Sequence, residues 1–318
     1  MKKIGNVLLV AVFIFSCCQN IAAQPSPAGE PYLLIPPAGD AWLNPVWSPD
    51  GQYLAFSAEK YNGLWVANAD GGNIRQISDR ENAGFGFSWS ADSKTILIRS
   101  SEFRNNRRYQ SVKLVDVASG AEKELVEPGR GIRSVPQWAH RDLHVAVVKD
   151  EELLLLETGK APRGLPVVEP ESPVLFPVEG KLFRSTAGQK DPQAMADFGQ
   201  QTIFNIRFSP NGNHVAFQVA ARGLYVMNID GSGLKNLGWG ERPFWTPDGN
   251  YLIVMLTSDD GHNITESNLY AIEINSGQQH LLTGHTSLVA LSPSVSPNGK
   301  QIAFENAIDG GIYVLDIK

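Results

Sequence analysis

Trp47-Ser48-Pro49-Asp50-Gly51, followed by Tyr53-Leu54-Ala55-Phe56, decides the fold, because the same phrase returns along the chain. It recurs as Phe208-Ser209-Pro210-Asn211-Gly212 before His214-Val215-Ala216-Phe217, and as Trp245-Thr246-Pro247-Asp248-Gly249 before Tyr251-Leu252-Ile253-Val254. A further full copy is Val295-Ser296-Pro297-Asn298-Gly299 before Gln301-Ile302-Ala303-Phe304, and weaker ones begin at Trp89 and Trp138. Each copy reads as a β-hairpin. Pro presets φ at the first turn position, Asp or Asn tolerates the next, and Gly supplies the positive φ that ends the turn. The aromatic before the turn and the β-branched or aromatic run after it belong to two paired strands. A second hairpin follows at Leu64–Gly72 and Ile74–Ile77, and again at Leu224–Gly233 and Leu234–Leu237. Two hairpins give four strands, which is one propeller blade.

Spacing sets the blade count. From Trp47 the steps are 42 to Trp89, 49 to Trp138, 70 to Phe208, 37 to Trp245 and 50 to Val295. The step of 70 is too long for one blade of ~40 to 45 residues. Inside it, Pro173-Val174-Leu175-Phe176, Lys181-Leu182-Phe183-Arg184 and Ala194–Phe198 read as a degraded blade. Residues 32–318 divided by seven give about 41 per blade, against about 48 for six. An all-β propeller of seven four-stranded blades is expected, with six plus an insertion as the alternative. The last segment, Ile312–Ile317, matches only a third strand, so Tyr32-Leu33-Leu34-Ile35 is expected to supply the outer strand and close the ring.

The Asp-Gly pairs invite a calcium reading, but each turn offers one carboxylate where a calcium loop needs several converging oxygens. Turn chemistry explains them better, and no metal or other cofactor is expected. Four of the seven tryptophans (Trp47, Trp89, Trp138 and Trp245) share one repeat position, as packing between blades demands and a unique ligand site does not. A net charge of −6 argues against a protein that coats nucleic acid. Cys17 and Cys18 are the only cysteines in 318 residues, so no disulfide framework is available.

The N-terminus carries an address. Lys2 and Lys3, the apolar run Val7–Phe15 and the small residues Ala22-Ala23 have the order of a secretory signal peptide over residues 1–23. Residues 24–31 then read as a short linker and 32–318 as one propeller domain. Cleavage after Ala23 removes both cysteines and two lysines, taking the net charge from −6 to −8. Ile14-Phe15-Ser16-Cys17 loosely matches a lipobox, so Cys17 is a candidate for lipid anchorage, although the bulky Phe15 favours a soluble form. No other apolar run reaches the ~20 residues of a membrane-spanning helix.

The repeat resembles the WD-like propeller repeat of TolB and of prolyl-oligopeptidase-type peptidases, over nearly the whole expected mature chain. The resemblance implies a periplasmic, monomeric, non-catalytic scaffold that binds protein partners of the cell envelope. Between the signal and the first blade there is no room for the α/β domain that precedes the propeller in TolB. No Gly-x-Ser-x-Gly elbow occurs, so the resemblance does not imply peptidase activity. Similar repeats build the oligogalacturonate lyases, which use histidine and a metal ion, and a polysaccharide lyase is the alternative function. The six histidines give that alternative little support. His140 and His144 sit in a predicted hairpin, where positions four apart are not expected to converge. His214 occupies the strand position held elsewhere by Tyr53 and Tyr251.

Binding is therefore expected on loops at one rim of a rigid body. In the second blade the loop between the second and third strands is expected over Arg99–Arg108, placing Arg104, Arg107 and Arg108 together. The linker that follows adds Arg130 and Arg133 on the same face. The planar fork of arginine donates two parallel hydrogen bonds, which suits carboxylate and phosphate groups. These five arginines are the candidate site for an acidic envelope protein or an anionic glycan, and no catalytic residue is expected.

Overall fold

The hydroxyl and the Asx residue of each Ser/Thr-Pro-Asx-Gly phrase make one hydrogen-bonded unit. In the computed structural model, which describes residues 24–39, 41–132, 134–150, 152–160, 173–185 and 191–318, Ser48 Oγ donates to Asp50 Oδ1 at 2.6 Å and accepts from Tyr53 N–H at 3.0 Å. Asp50 Oδ1 accepts from Gln52 N–H as well, at 3.0 Å. The same three bonds recur around Ser90/Asp92, Ser209/Asn211, Thr246/Asp248 and Ser296/Asn298. The side chains thus satisfy backbone donors that the turn would leave open. Gly51 has φ +70°, and this left-handed conformation is what requires glycine, since a Cβ there would make only ordinary contact with Pro297 of a neighbouring turn.

The hairpins assemble into seven sheets. The first blade is β2 (Leu43–Trp47), β3 (Tyr53–Ser57), β4 (Leu64–Asn68) and β5 (Arg75–Ser78). The second is β6 (Ser88–Trp89), β7 (Thr95–Arg104), β8 (Arg107–Asp116) and β9 (Glu122–Gly129). The third and fourth have three strands each among the described residues: β10 (Gln137–Ala139), β11 (His144–Lys149) and β12 (Glu152–Glu157), then β13 (Val174–Val178), β14 (Lys181–Ser185) and β15 (Gln193–Asp197). The fifth is β16 (Ile203–Phe208), β17 (His214–Val219), β18 (Gly223–Asn228) and β19 (Lys235–Gly238). The sixth is β20 (Glu241–Trp245), β21 (Tyr251–Asp259), β22 (Ile264–Glu273) and β23 (Gln279–Leu281). The seventh orders β24 (Ala290–Val295), β25 (Gln301–Asn306), β26 (Ile312–Asp316) and, outermost, β1 (Tyr32–Ile35). The degraded repeat at Val174–Asp197 is a blade in its own right, which removes the six-bladed alternative.

The ring closes as the sequence predicts. Tyr32 pairs with Val314 and Leu33 with Tyr313, antiparallel. The pairing continues outward, with Ala28 N–H donating to Asp316 O at 2.8 Å and Ser26 N–H to Lys318 O at 3.1 Å. Ile35 is fully buried there. The signal-peptide reading and Cys17 fall on residues 1–23, outside the described residues. No helix among the described residues is long and apolar enough to cross a membrane.

The anchor tryptophans join neighbouring blades. Trp89 Nε1 donates to Val46 O at 3.1 Å, Trp138 Nε1 to Ser88 O at 3.2 Å and Trp245 Nε1 to Arg207 O at 2.9 Å. Each indole therefore reaches the carbonyl just before the anchor of the preceding repeat. Tyr53 stacks on Trp89 with ring centroids 6.4 Å apart, and His214 lies 6.3 Å from Trp245 in the equivalent place. His214 is a strand residue packed between blades.

Candidate functional site at the channel mouth

The innermost strands β16, β20, β24 and β2 pack against one another around the ring axis. Each contains a bulge before its anchor residue, marked by a register shift at Phe204/Arg207, Glu241/Phe244, Leu291/Ser294 and Leu43/Val46. Three residues before each anchor the backbone turns left-handed: Asn44 (φ 56°), Asn205 (φ 50°), Arg242 (φ 48°) and Ser292 (φ 52°), with Gly86 (φ 69°) at the same place before Trp89. Asn and Gly adopt this region at low cost, whereas Arg242 and Ser292 are strained in it. A repeated bulge re-aims side chains at a rim, a recognised use of the feature.

Inter-blade bonds hold the bulges open. Asn44 N–H donates to Glu305 Oε2 of the preceding blade, Arg242 N–H to Gln218 Oε1 at 3.1 Å, and Ser292 N–H to Met255 Sδ at 3.3 Å. Asn205 Nδ2 also donates to Gln218 Oε1, at 2.6 Å. Glu305 is buried and accepts from Ser292 Oγ at 3.3 Å. Burial pushes its pKa above the ordinary carboxylate value, against the pull of the Asn44 amide, Arg242 and Ser292.

The bulges border a small, partly open cavity of about 30 Å³ whose lining includes Asn44, Asn205, Arg207, Arg242, Phe244 and Ser292. Arg242 Nη2 donates to Tyr61 Oη at 2.6 Å, and its guanidinium lies 5.8 Å from the Tyr61 ring. Tyr61 belongs to the short 3₁₀ turn Glu59–Tyr61 of the first blade, so a first-blade loop reaches over the mouth to the sixth blade. Tyr61 meets Phe85 edge-on at 5.4 Å, and Arg99 stands 5.3 Å from the Phe85 ring. Arg207 lies 6.0 Å from the Phe244 ring. Arg207 is exposed to the channel, and crowding by the channel walls with the like charge of Arg242 lowers its pKa.

The antiparallel order of each blade puts the turn between its second and third strands on this same face, with the linkers between blades. In the second blade that turn differs from the expected loop. Arg99–Arg104 and Arg107 onward are strand, paired from Arg99↔Val112 to Arg104↔Arg107, and only Asn105 and Asn106 turn, both left-handed (φ 51° and 57°). Alternating polarity and two asparagines favour a two-residue hairpin, and the arginine-rich composition had concealed it. Arg99 is consequently buried: it donates from Nη1 to Ser134 O at 2.9 Å, and burial with nearby Arg108 lowers its pKa to about 10. Arg104, Arg107 and Arg108 do come together at the exposed tip beside Phe103, which is 61% exposed. Arg104 pairs with Glu102 and lies 5.4 Å from the Tyr109 ring, and Arg108 Nε donates to Ser101 Oγ at 2.8 Å. Arg130 is exposed just past Gly129, which pairs with Gln110 on the hairpin stem. Arg133 lies outside the described residues.

A second long hairpin stands on the same face. β21 and β22 run from Tyr251↔Glu273 to Asp259↔Ile264, and the tip carries Asp259 and Asp260. Asp260 Oδ1 accepts from the backbone N–H groups of His262 and Asn263 at 2.9 and 2.8 Å, which lowers its pKa. The mouth is thus flanked by one basic and one acidic hairpin.

The histidine expectation needs one correction. His140 and His144 do converge, Nδ1 to Nδ1 at 3.1 Å, because His140, Arg141 and Asp142 are all left-handed and fold the turn back on itself. They meet on the face of the Pro-Asx-Gly turns, away from the mouth. Among the described residues no three His, Cys, Asp or Glu side chains are grouped to hold a metal ion.

The propeller has known counterparts. It superposes on the Cps50 (Swd1) β-propeller domain of Myceliophteria thermophila with a TM-score of 0.64 at 13% identity, covering 91% of this chain and all of that one. It also matches a putative TolB from Agrobacterium tumefaciens (TM-score 0.54, 14% identity, 88% of this chain and 91% of that one). The fold is that of the TolB and WD40 propellers. Oligogalacturonate lyase from Vibrio parahaemolyticus shares it too, with a TM-score of 0.52 at 12% identity over 92% of this chain and 98% of that one. No protein-family model matches the chain. In sequence it is 28% identical over 141 residues to an uncharacterized peptidase, YuxL, of Bacillus subtilis (strain 168), and the match takes in 40% of this chain and a fifth of that protein.

Proposed function

We propose that the protein is an exported, monomeric, non-catalytic propeller scaffold that binds an acidic envelope protein or an anionic envelope glycan on its mouth face. The observation that carries this reading is the protruding hairpin tip of Arg104, Arg107 and Arg108 beside Phe103, with Arg130 on its flank. Its exposed cations steer a polyanion, and the neighbouring aromatic and apolar surface gives the contact a dry centre. The acidic hairpin opposite would orient the partner by repelling its negative end. The ionisable side chains that line the cavity are Arg207 and Arg242, and the His140–His144 pair sits on the other face, an arrangement that suits recognition better than acid–base chemistry.

The test is cross-linking capture from an envelope fraction with the wild-type chain and the R104A/R107A/R108A variant. The wild type should retain a partner at low salt and release it at high salt, and the variant should retain at most a tenth as much. Equal capture by both would overturn the proposed surface. The lyase alternative is tested by incubation with oligogalacturonate and manganese, where accumulation of an unsaturated product would overturn the non-catalytic reading.

A further inference from the structure

We propose that Arg207 and Arg242 form a binding site for a single oxyanion, a carboxylate or phosphate group of a ligand that enters the channel mouth. The two side chains come from successive inner strands, β16 and β20, and line one cavity. They are close enough for Arg242 to depress the pKa of Arg207 by charge repulsion. Like charges crowded together at a channel mouth repel, and an anion lying between them offsets that repulsion. Neither guanidinium makes an ion pair among the described residues, and neither is among the residues with further unprinted partners. Glu305, the carboxyl that acts on Arg242 at longer range, is buried and already accepts from the Asn44 amide and Ser292 hydroxyl.

The surroundings leave the arginines as the available donors. Pro45, Pro243 and Pro293 line the cavity and offer no N–H. The side-chain amides are engaged: Asn44 Nδ2 donates to Gly84 O at 3.2 Å and Asn205 Nδ2 to Gln218 at 2.6 Å. Both guanidiniums are backed by aromatic rings, Tyr61 for Arg242 and Phe244 for Arg207, and the Tyr61 hydroxyl fixes Arg242 by a 2.6 Å bond. Such stacking orders the planar fork without neutralising it, and a fork so ordered binds a carboxylate or phosphate at reduced entropic cost. A cavity of about 30 Å³ has room for the head of a single anionic group, with the rest of the ligand left outside in the channel mouth. The inference is independent of the basic hairpin and of export.

Two measurements test it on the intact chain. Thermal unfolding is followed in rising inorganic phosphate or succinate, with chloride at matched ionic strength as control. A site with a millimolar dissociation constant should raise the midpoint logarithmically with anion concentration, by about 3 °C at fifty-fold excess. A rise beyond the chloride control in phosphate alone, succinate alone or both supports the site and sorts the ligand chemistry. R207Q should lose the response while keeping its transition in chloride. In parallel, phenylglyoxal modification of the wild-type chain is mapped by mass spectrometry, which needs no variant. Protection of Arg207 and Arg242 by the active anion, with Arg104 and Arg107 labelled as before, is expected. No shift beyond chloride, an undiminished shift in a folded R207Q chain, or labelling of Arg207 and Arg242 unchanged by either anion would overturn the proposal.

Discussion

The two faces of this ring are built on opposite rules. On the turn face, five blades repeat one hydroxyl–Asx unit, so position within the repeat dictates the residue. On the mouth face, the same inner strands begin in left-handed bulges, and equivalent positions hold Asn44, Gly86, Asn205, Arg242 and Ser292. Gly can be explained there by backbone geometry alone. Arg242 needs a further reason, because it strains the backbone and brings a charge into the channel. Uniformity on one face makes the scaffold, and the departures from uniformity on the other make the site.

The largest expected effect undermines both faces at once. Deleting residues 31–36 removes the outer strand of the seventh blade and the fully buried Ile35. The loss should reach about 4 kcal/mol, and the melting temperature should fall by about 10 °C. An unchanged melting curve would break the closure model and with it the premise that the two faces share one rigid ring.

A sharper comparison makes the same chemical change on each face and reads opposite pH dependence. On the turn face, hydrogen bonds from Ser90, Lys160 and the Lys94 amide outweigh desolvation and hold Asp92 at about 2. Lys160 Nζ lies 2.9 Å away. A depressed carboxyl stabilises the fold fully above its unfolded value near 4 and loses that contribution as pH falls through about 2. D92N should therefore cost about 1–2 kcal/mol at pH 7 and only a small fraction of that at pH 2, measured by denaturant midpoints across that range. On the mouth face, Glu305 has a raised pKa, so its ionised form penalises the fold, increasingly so as pH rises above about 4.5. E305Q, which keeps an acceptor for Asn44, should match the wild type at pH 4 and exceed it in stability at pH 7, measured by denaturant midpoints. A destabilised E305Q at pH 7 would show that the mouth relies on the Glu305 charge against Arg242.

The smallest effect on stability belongs to the rim. R104A/R107A/R108A should shift stability by about 0.5 kcal/mol or less, since the tip is exposed. Its partner association rate should drop about tenfold at low salt and much less at high salt. A large stability loss would mean the hairpin belongs to the scaffold rather than to the site.

The turn face was legible in the sequence because its chemistry is local. Trp47 through Phe56 contains both the turn signal and the strands it joins, and the pattern repeats often enough to place the weak Val174–Asp197 blade by spacing. The mouth was not legible, because its groups are assembled from distant residues. Tyr61 and Arg242 are 181 positions apart in the chain and meet at 2.6 Å. The Arg99–Arg108 segment was placed on the correct face but read as loop, since its charges masked a strand that extends beyond the sheet. One signal was present and unused. Aligning the repeats leftward from their anchors brings Asn44-Pro45, Arg242-Pro243 and Ser292-Pro293 into register and exposes the bulge. The convergence of His140 and His144 had no such mark, because three consecutive non-glycine residues in left-handed backbone are not an expected turn.

The pairing of Tyr32 with Val314 also fixes the order in which this molecule can finish folding. The strand made first must wait for the strand made last, with nearly the whole chain emerging between them. Contacts of that sequence separation give the ring a high contact order, and closure entropy delays its final step. Until then β26 presents an unpaired edge that a second copy could occupy. The open-edged intermediate is where aggregation competes with folding. A chaperone that masks strand edges would raise the yield of closed rings without touching the stability of any finished one.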